Sequence, residues 1–250
     1  AKLVKLEQNY RSTQVILDAA NAVIDNNTGR KPKNLWTDNG NGNQITYFRA
    51  IDERDEARFV IEQIQALDSR PDVKLGDMAI LYRTNTQSRV FEEMLIKSGI
   101  GYNIVGGTKF YERKEIKDII AYLRVIFNPN DSLSLLRIIN VPRRGIGDAT
   151  LAKLQAYAEE NNMNLFDVVS ASGDVPGLSS RFVGKLEELS SIIFELMGEA
   201  NSGEVPVKQL IDNVMTKTGY LEELENSKSA QDQSRVENLK ELLSVAEDFS

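Results

Sequence analysis

The chain has 250 residues, of which 41% are hydrophobic, and 30 Lys and Arg against 37 Asp and Glu give it a formal net charge of −7. It contains no His and no Cys, which excludes disulfide frameworks, histidine- or thiolate-ligated zinc and histidine-based catalytic triads. No apolar stretch is long enough to span a bilayer and no signal-peptide pattern is present, so we expect no membrane partner. The lack of Cys suits a reducing compartment, and we expect a cytoplasmic protein.

The two halves of the chain differ in charge. Residues 1–130 carry 19 Lys and Arg against 17 Asp and Glu, whereas residues 131–250 carry 11 against 20. Most of the second half should therefore repel phosphate. A nucleic acid is expected to meet this half only at the local cluster of Arg137, Arg143 and Arg144.

The first part of the chain is predicted to alternate strands and helices. The expected strands cover residues 3–6, 44–49, 78–82 and 102–105, and the expected helices cover 13–26, 52–67, 86–97 and 113–127. Alternation of this kind is typical of a parallel sheet covered by helices. We therefore expect a partial α/β domain over residues 1–127.

The class of structure is predicted to change at Asn128–Asn130, a short segment that contains a proline. The chain beyond it is expected to form an all-helical domain over residues 128–250, so that the fold class is α/β plus all-α. Because the chain starts within a predicted strand and stops within a predicted helix, we expect a piece of a longer protein. The predicted helices cover residues 131–139, 148–160, 164–171, 179–200, 206–217, 219–226 and 231–249.

A glycine turn preceded by two arginines lies between the first two helices of this second part. The helices on either side complete a helix–hairpin–helix outline. Helix N-termini and concave runs of N–H groups bind anions, which favours a duplex phosphate held without reading of the base sequence. The alternative is a tight turn with solvated arginines. The predicted contacts are Arg143, Arg144, Gly145, Ile146 and Gly147.

Two further segments have residues suited to binding. Leu6–Ser12 leaves a predicted strand with Tyr10, which can stack on a base, and Arg11, which can reach a phosphate. In Gly106–Asp118, glycines are followed by aromatic residues interleaved with basic ones, a pattern suited to single-stranded nucleic acid. The alternatives are an exposed tyrosine beside a capping serine and a glycine-rich connection into a charged helix.

The sequence lacks the usual motifs for nucleotide hydrolysis. It has no Gly-x-x-x-x-Gly-Lys-Ser/Thr phosphate loop (Walker A) and no apolar strand that ends in Asp-Glu (Walker B). Asp52 and Glu53 are flanked by charged residues and are interpreted as the solvated start of a helix. The chain alone should therefore not hydrolyse a nucleotide, and no metal site is predicted in it.

Three blocks resemble the UvrD/PcrA/Rep group of superfamily 1 DNA helicases, with the PcrA-like members most similar. Gln8–Ser12 resembles motif IV at the start of the second RecA-like domain (2A). Gly106–Arg124 is similar to the family's Gly-Gly-x-x-Phe-x-x-Arg-x-Glu-Ile-Lys-Asp-x-x-Ala-Tyr-Leu-Arg block, and Ile138–Gly147 resembles the duplex-contacting element of the helical insertion 2B. The resemblance implies a partial RecA-like sheet over residues 1–127 and the 2B insertion over residues 128–250.

The resemblance also implies roles for individual residues. Tyr10 would stack on the adenine of ATP and Arg11 would reach its γ-phosphate, whereas Lys109 and Arg113 would contact single-stranded DNA. The glycine turn and its arginines would hold a duplex phosphate ahead of the fork. From the change of structural class at Asn128–Asn130 and the nearby arginines, we further hypothesise that rotation about this segment regulates unwinding.

The parent protein implied by this resemblance is an ATP-dependent 3′→5′ DNA helicase that uses ATP and Mg²⁺. Its partners would be DNA, the remaining helicase domains of the same chain, and repair or transcription proteins. Two alternatives stay open. One is a non-enzymatic scaffold that binds DNA or docks proteins, and the other is part of a RecB/AddA-type helicase–nuclease.

Overall fold

The computed structural model describes residues 4–29 and 33–247. The chain divides into two compact units, Ala1–Val60 and Ile61–Ser250. No helix in the described ranges is long and apolar enough to cross a membrane.

Helices provide the regular secondary structure of both units. Short 3-10 turns lie at Leu75–Asp77, Asn85–Gln87, Phe110–Glu112 and Ser172–Asp174. The α-helices of the described residues are α1 (Gln14–Ile24), α2 (Glu53–Asp68), α3 (Ser88–Lys97), α4 (Lys114–Phe127), α5 (Ser132–Ile138), α6 (Asp148–Asn161), α7 (Leu165–Ser170), α8 (Ser180–Ser202), α9 (Val207–Lys217), α10 (Tyr220–Glu225) and α11 (Ala230–Glu247).

In the first unit, the loop after α1 folds back onto that helix. The side-chain amide of Asn21 bonds to both backbone groups of Leu35, with its Nδ2 2.9 Å from the carbonyl and its Oδ1 3.1 Å from the N–H. Gly42 has a φ of +73°, and a Cβ there would lie 2.4 Å from Oγ1 of Thr13. Only glycine therefore allows the loop to approach the start of α1 this closely.

The predicted partial parallel sheet is wrong. Among the described residues the segments 44–49, 78–82 and 102–105 form no strand, and residue 3 of the segment 3–6 lies outside them. In the described part of the chain, β-type pairing is limited to one isolated parallel bridge between Gln8 and Trp36.

The reason for this failure is that a strand exists only when a second backbone accepts and donates its hydrogen bonds. In the described residues these segments have no such neighbour. Their apolar side chains stay exposed, as in Leu6 (80%), Tyr47 (85%), Leu81 (93%) and Val105 (95%). The apolar pattern alone therefore did not establish that a sheet forms.

The second unit has a hydrophobic core organised around α4, which packs against α5, α8, α9 and α11. Ile116, Ile119, Tyr122, Val125 and Ile126 lie at helical spacing on one face of α4 and are buried. Burial of such a face, rather than helix propensity, supplies most of the stability of a helix in a protein. The helices predicted beyond residue 128 are present in the described range.

The connection from α4 to α5 is short and well capped. The backbone N–H of Asn128 donates to the Arg124 carbonyl at 2.8 Å and ends α4. The Asp131 carboxylate accepts hydrogen bonds from the amide and hydroxyl of Ser134 at 3.0 and 2.7 Å, and these bonds lower the pKa of Asp131. The division of the chain into domains at residue 128 stays a prediction.

Candidate nucleic-acid interface

The glycine turn that joins α5 to α6 combines several backbone conformations. Gly145 has a φ of +78°, in the left-handed region that favours glycine. Gly147 has an extended backbone and caps the N-terminus of α6. The peptide bond between Val141 and Pro142 is cis.

The backbone amides of this turn fall into two groups. Arg144 and Ile146 donate their N–H groups to the same oxygen, Oδ1 of Asn140, at 2.9 and 3.2 Å. Within the described part of the chain, the exposed amides of Gly145 and Gly147 donate no hydrogen bond. Because the Ile146 side chain is only 1% exposed, it anchors the turn in the core while the two glycines face solvent.

Arg143 presents its side chain to solvent. The residue is exposed, and its guanidinium forms no hydrogen bond or ion pair with any part of the chain that is described. Its backbone N–H donates to Oε2 of Glu223 on α10 at 3.1 Å. Arg137 of the predicted arginine cluster instead pairs with the buried Asp118, with 2.7 Å between Nη2 and Oδ1.

The Arg144 guanidinium, unlike that of Arg143, is hydrogen-bonded within the described part of the protein. Its Nη1 donates to the carbonyls of Ile138, Ile139 and Pro142 at 3.1, 3.4 and 3.3 Å, and its Nη2 donates to the Tyr122 hydroxyl at 2.9 Å. The carbonyls at a helix C-terminus lack intrahelical donors and attract positive charge. This arrangement differs from the predicted phosphate contact, because the guanidinium caps α5 instead.

The motif at residues 8–12 lies in the first unit and is open to solvent. Oδ1 of Asn9 accepts the N–H groups of Arg11 and Ser12 at 2.9 and 2.8 Å, which forms a tight turn. The Tyr10 side chain is 80% exposed, and its hydroxyl donates to Oε1 of Gln8 at 2.9 Å. In the described ranges, the exposed Arg11 guanidinium has no partner.

In the segment Gly106–Asp118, Lys109 is the exposed basic residue before the helix. Its Nζ lies 4.6 Å from the centre of the Tyr102 ring, a cation–π arrangement that leaves the ammonium accessible. The geometry is compatible with an additional contact to an anion.

Arg113 of the same segment lies in the interior, with 7% of its surface exposed. Its Nη1 donates to Oδ1 of Asn238 at 2.8 Å, and its Nη2 donates to the Asn85 carbonyl and the Ser88 hydroxyl at 2.9 and 3.0 Å. Burial lowers the pKa of Arg113. This placement differs from the predicted single-strand contact, since the donors already have partners within the protein.

Asn140 and Tyr122, which build the turn, were not among the site residues predicted from the sequence. The Tyr122 hydroxyl donates to the Val141 carbonyl at 2.5 Å and accepts from Arg144, and burial raises the pKa of Tyr122. A short amide side chain just after a helix is a known turn-forming signal, and it could have drawn attention to Asn140. No local pattern connects Tyr122, in the middle of α4, with the turn.

The structure therefore brings together Arg143, Asn140 and the two glycines, and it places Tyr10 and Arg11 in the other unit.

Among the described residues, no group of three or more His, Cys, Asp or Glu side chains could hold a metal ion.

Residues 4–250 match the family described as the UvrD-like helicase C-terminal domain, and the chain belongs to this family. It is 49% identical over 249 residues to the ATP-dependent DNA helicase PcrA of Staphylococcus epidermidis. The identity to the protein of the same name from Staphylococcus aureus is also 49% over 249 residues. These alignments cover 100% of this chain and 34% of the relatives, so the chain spans about a third of their length.

Proposed function

We propose that this chain is the part of an ATP-dependent DNA helicase that contacts duplex DNA and one side of bound ATP. One observation carries the proposal: the amides of Gly145 and Gly147 are open at the start of α6, in the same turn as the free guanidinium of Arg143. The identity of 49% over the whole chain to helicases named PcrA supports it.

The turn has the chemistry required to hold a phosphate. The N–H groups at the start of a helix carry partial positive charge, and an arginine adds a full charge and a fork of donors. A Cβ placed on Gly145 or Gly147 would meet nothing within 4 Å, so neither glycine is crowded on its side-chain face. Such a contact grips the DNA backbone and carries no information about base sequence.

The charge around the turn makes this contact local. Asp148 lies in the first turn of α6 and Glu223 binds the Arg143 amide, so carboxylates adjoin the proposed site. A duplex phosphate is therefore attracted to Arg143 and the glycine amides and repelled by the acidic surroundings. The contact should weaken as salt concentration rises, with the slope of about one expected for a single phosphate.

The proposal gives the ATP contact to Tyr10 and Arg11, the roles that the resemblance implies. The exposed Tyr10 ring can stack on adenine and the free Arg11 guanidinium can reach the γ-phosphate. The phosphate loop and the Mg²⁺ ligands belong to the rest of the parent helicase. In this proposal, closure of the nucleotide-binding part of the parent helicase on ATP brings Arg11 to the phosphates and drives 3′→5′ movement along single-stranded DNA.

Lys109 is proposed to contact the backbone of the translocating strand, and Arg113 takes no part in it because its guanidinium is buried. In this scheme residues 1–127 belong to the 2A domain and residues 128–250 to the 2B insertion. Rotation about Asn128–Asn130 is not part of this scheme, because α4 packs against α5, α8, α9 and α11 in one core that spans that segment.

The duplex contact is tested by the salt dependence of binding. Arg143→Ala should lower the affinity of the chain for a mixed-sequence DNA duplex and reduce the slope of log K against log salt by about one. Arg70→Ala is a matched control, because Arg70 is also exposed and its guanidinium has no partner within the described residues. An unchanged slope in the Arg143 variant, or an equal change in both variants, would exclude the site.

The ATP contact is tested by adding an upstream RecA-like domain from the same parent protein. ATP hydrolysis stimulated by single-stranded DNA should require both pieces, and Arg11→Ala should abolish the stimulation while DNA binding persists. DNA binding without any stimulated hydrolysis would instead favour a non-enzymatic scaffold.

A further inference from the structure

The Asn140 side chain organises the glycine turn through a single atom. Its Oδ1 accepts the amides of Arg144 and Ile146 at 2.9 and 3.2 Å, on either side of Gly145. These two bonds satisfy the inner N–H groups of the turn and leave the Gly145 amide without an acceptor in the described chain. One side chain thus determines which N–H groups of the turn are already hydrogen-bonded and which remain open.

The Arg144 guanidinium and the Tyr122 hydroxyl hold the other side of the turn. Arg144 bonds to the carbonyls of Ile138 and Pro142, while Tyr122 donates to the Val141 carbonyl and accepts from Arg144. Because Tyr122 is fully buried in α4, the loop is tied to the core of the second unit.

We propose that Asn140 and Arg144 are positioning residues, which fix the turn so that Arg143 and the glycine amides face a duplex phosphate. This inference rests on the proposed function. It gives the two adjacent arginines different roles: Arg143 contacts the phosphate, and Arg144 holds the turn in place. A turn that contains two glycines would otherwise lose much conformational freedom on binding. Fixing it in advance removes that cost from the binding reaction.

The first test is Asn140→Ala, followed by amide hydrogen exchange in the whole chain. Exchange at residues 144 and 146 should accelerate by about tenfold or more, because both amides lose their acceptor. Asn140→Asp keeps an oxygen at the same place and should restore protection. Duplex affinity of the Asn140→Ala variant should fall by about tenfold, the equivalent of one lost hydrogen bond.

The second test is Arg144→Lys, which preserves the charge and loses the fork of donors. We expect duplex affinity to fall by about tenfold with an unchanged salt slope. A lysine variant that binds like the original chain would show that Arg144 acts as a simple charge and would overturn the inference. Faster exchange in Asn140→Ala without a loss of affinity would also overturn it.

The two proposals fail in different ways. If neither Arg143→Ala nor the positioning variants alter duplex binding, the proposed function is wrong. If Arg143→Ala reduces the salt slope as expected and the positioning variants bind normally, the duplex site stands and only the positioning inference is lost.

Discussion

Arg113 and Asn238 meet in the interior of the second unit, although they are 125 positions apart in the sequence. The distance from Nη1 of Arg113 to Oδ1 of Asn238 is 2.8 Å. Asn238 in turn donates from Nδ2 to Oε1 of Glu115 at 2.6 Å. This chain of contacts ties the start of α4 to the middle of α11, and it explains why Arg113 stays away from the surface.

Loss of Arg113 should therefore destabilise the fold. Arg113→Ala removes the donors to Oδ1 of Asn238, to the Asn85 carbonyl and to the Ser88 hydroxyl. It also removes a positive charge near the buried carboxylates of Glu92 and Glu115. We expect the free energy of unfolding to fall by about 3–5 kcal/mol, measured by urea denaturation. Lys117→Ala, at an exposed position of the same helix, should change it by less than about 0.5 kcal/mol.

Gly145 and Gly147 should respond differently to the same substitution. Gly145→Ala places a Cβ on a backbone with a φ of +78° and should cost about 1–2 kcal/mol of stability. Gly147→Ala should show no such cost, because its φ is −98° and no atom lies within 4 Å of the added carbon. Thermal or urea unfolding of both variants would check this, and equal losses would contradict the described turn.

Glu223 should weaken duplex binding in the natural sequence. Its carboxylate accepts the Arg143 amide at 3.1 Å and so adds negative charge beside the proposed phosphate site. Glu223→Gln should raise duplex affinity about two- to fivefold at low salt, and the gain should shrink as salt increases. Glu222→Gln, at an exposed neighbour on α10, is the control and should have the smaller effect. Equal gains in both variants would indicate only a general charge effect.

Stability at high pH should depend on Tyr102. Burial, together with the nearby Glu92 carboxylate that accepts its hydroxyl at 3.2 Å, raises the pKa of Tyr102 to about 12. Between about pH 10 and 12 the unfolded chain loses this proton and the folded chain keeps it, so the free energy of unfolding falls as pH rises.

The measurement is urea denaturation across this pH range for the original chain and Tyr102→Phe. The fall with pH should be shallower in the phenylalanine variant, since one coupled proton has been removed. Identical pH dependence in the two proteins would show that the Tyr102 pKa is the same folded and unfolded.

Local sequence pattern is sufficient to predict several of the helices. The apolar spacing along α4 predicted a helix over residues 113–127, and the helix spans Lys114–Phe127. The glycine turn was likewise expected to open a helix, and α6 begins at Asp148. Helical hydrogen bonds join residues four positions apart, so nearby residues carry the information.

The strands and the arginines show where local pattern is not sufficient. The segment at residues 102–105 has the composition of a strand, yet in the described chain it finds no partner. Arg143 and Arg144 are chemically identical neighbours, and the bonds of Arg144 to the Tyr122 hydroxyl and to three backbone carbonyls distinguish the inward guanidinium from the outward one.

The sequence by itself determined the helices of the second unit, the glycine turn before α6, the net acidity and the family to which the chain belongs. The tertiary structure alone decided which extended segments pair, which guanidiniums reach solvent and which amides remain open. Those outcomes depend on groups that are distant in the sequence, such as Arg113 with Asn238, and each polar group is buried only where the fold supplies it with a partner.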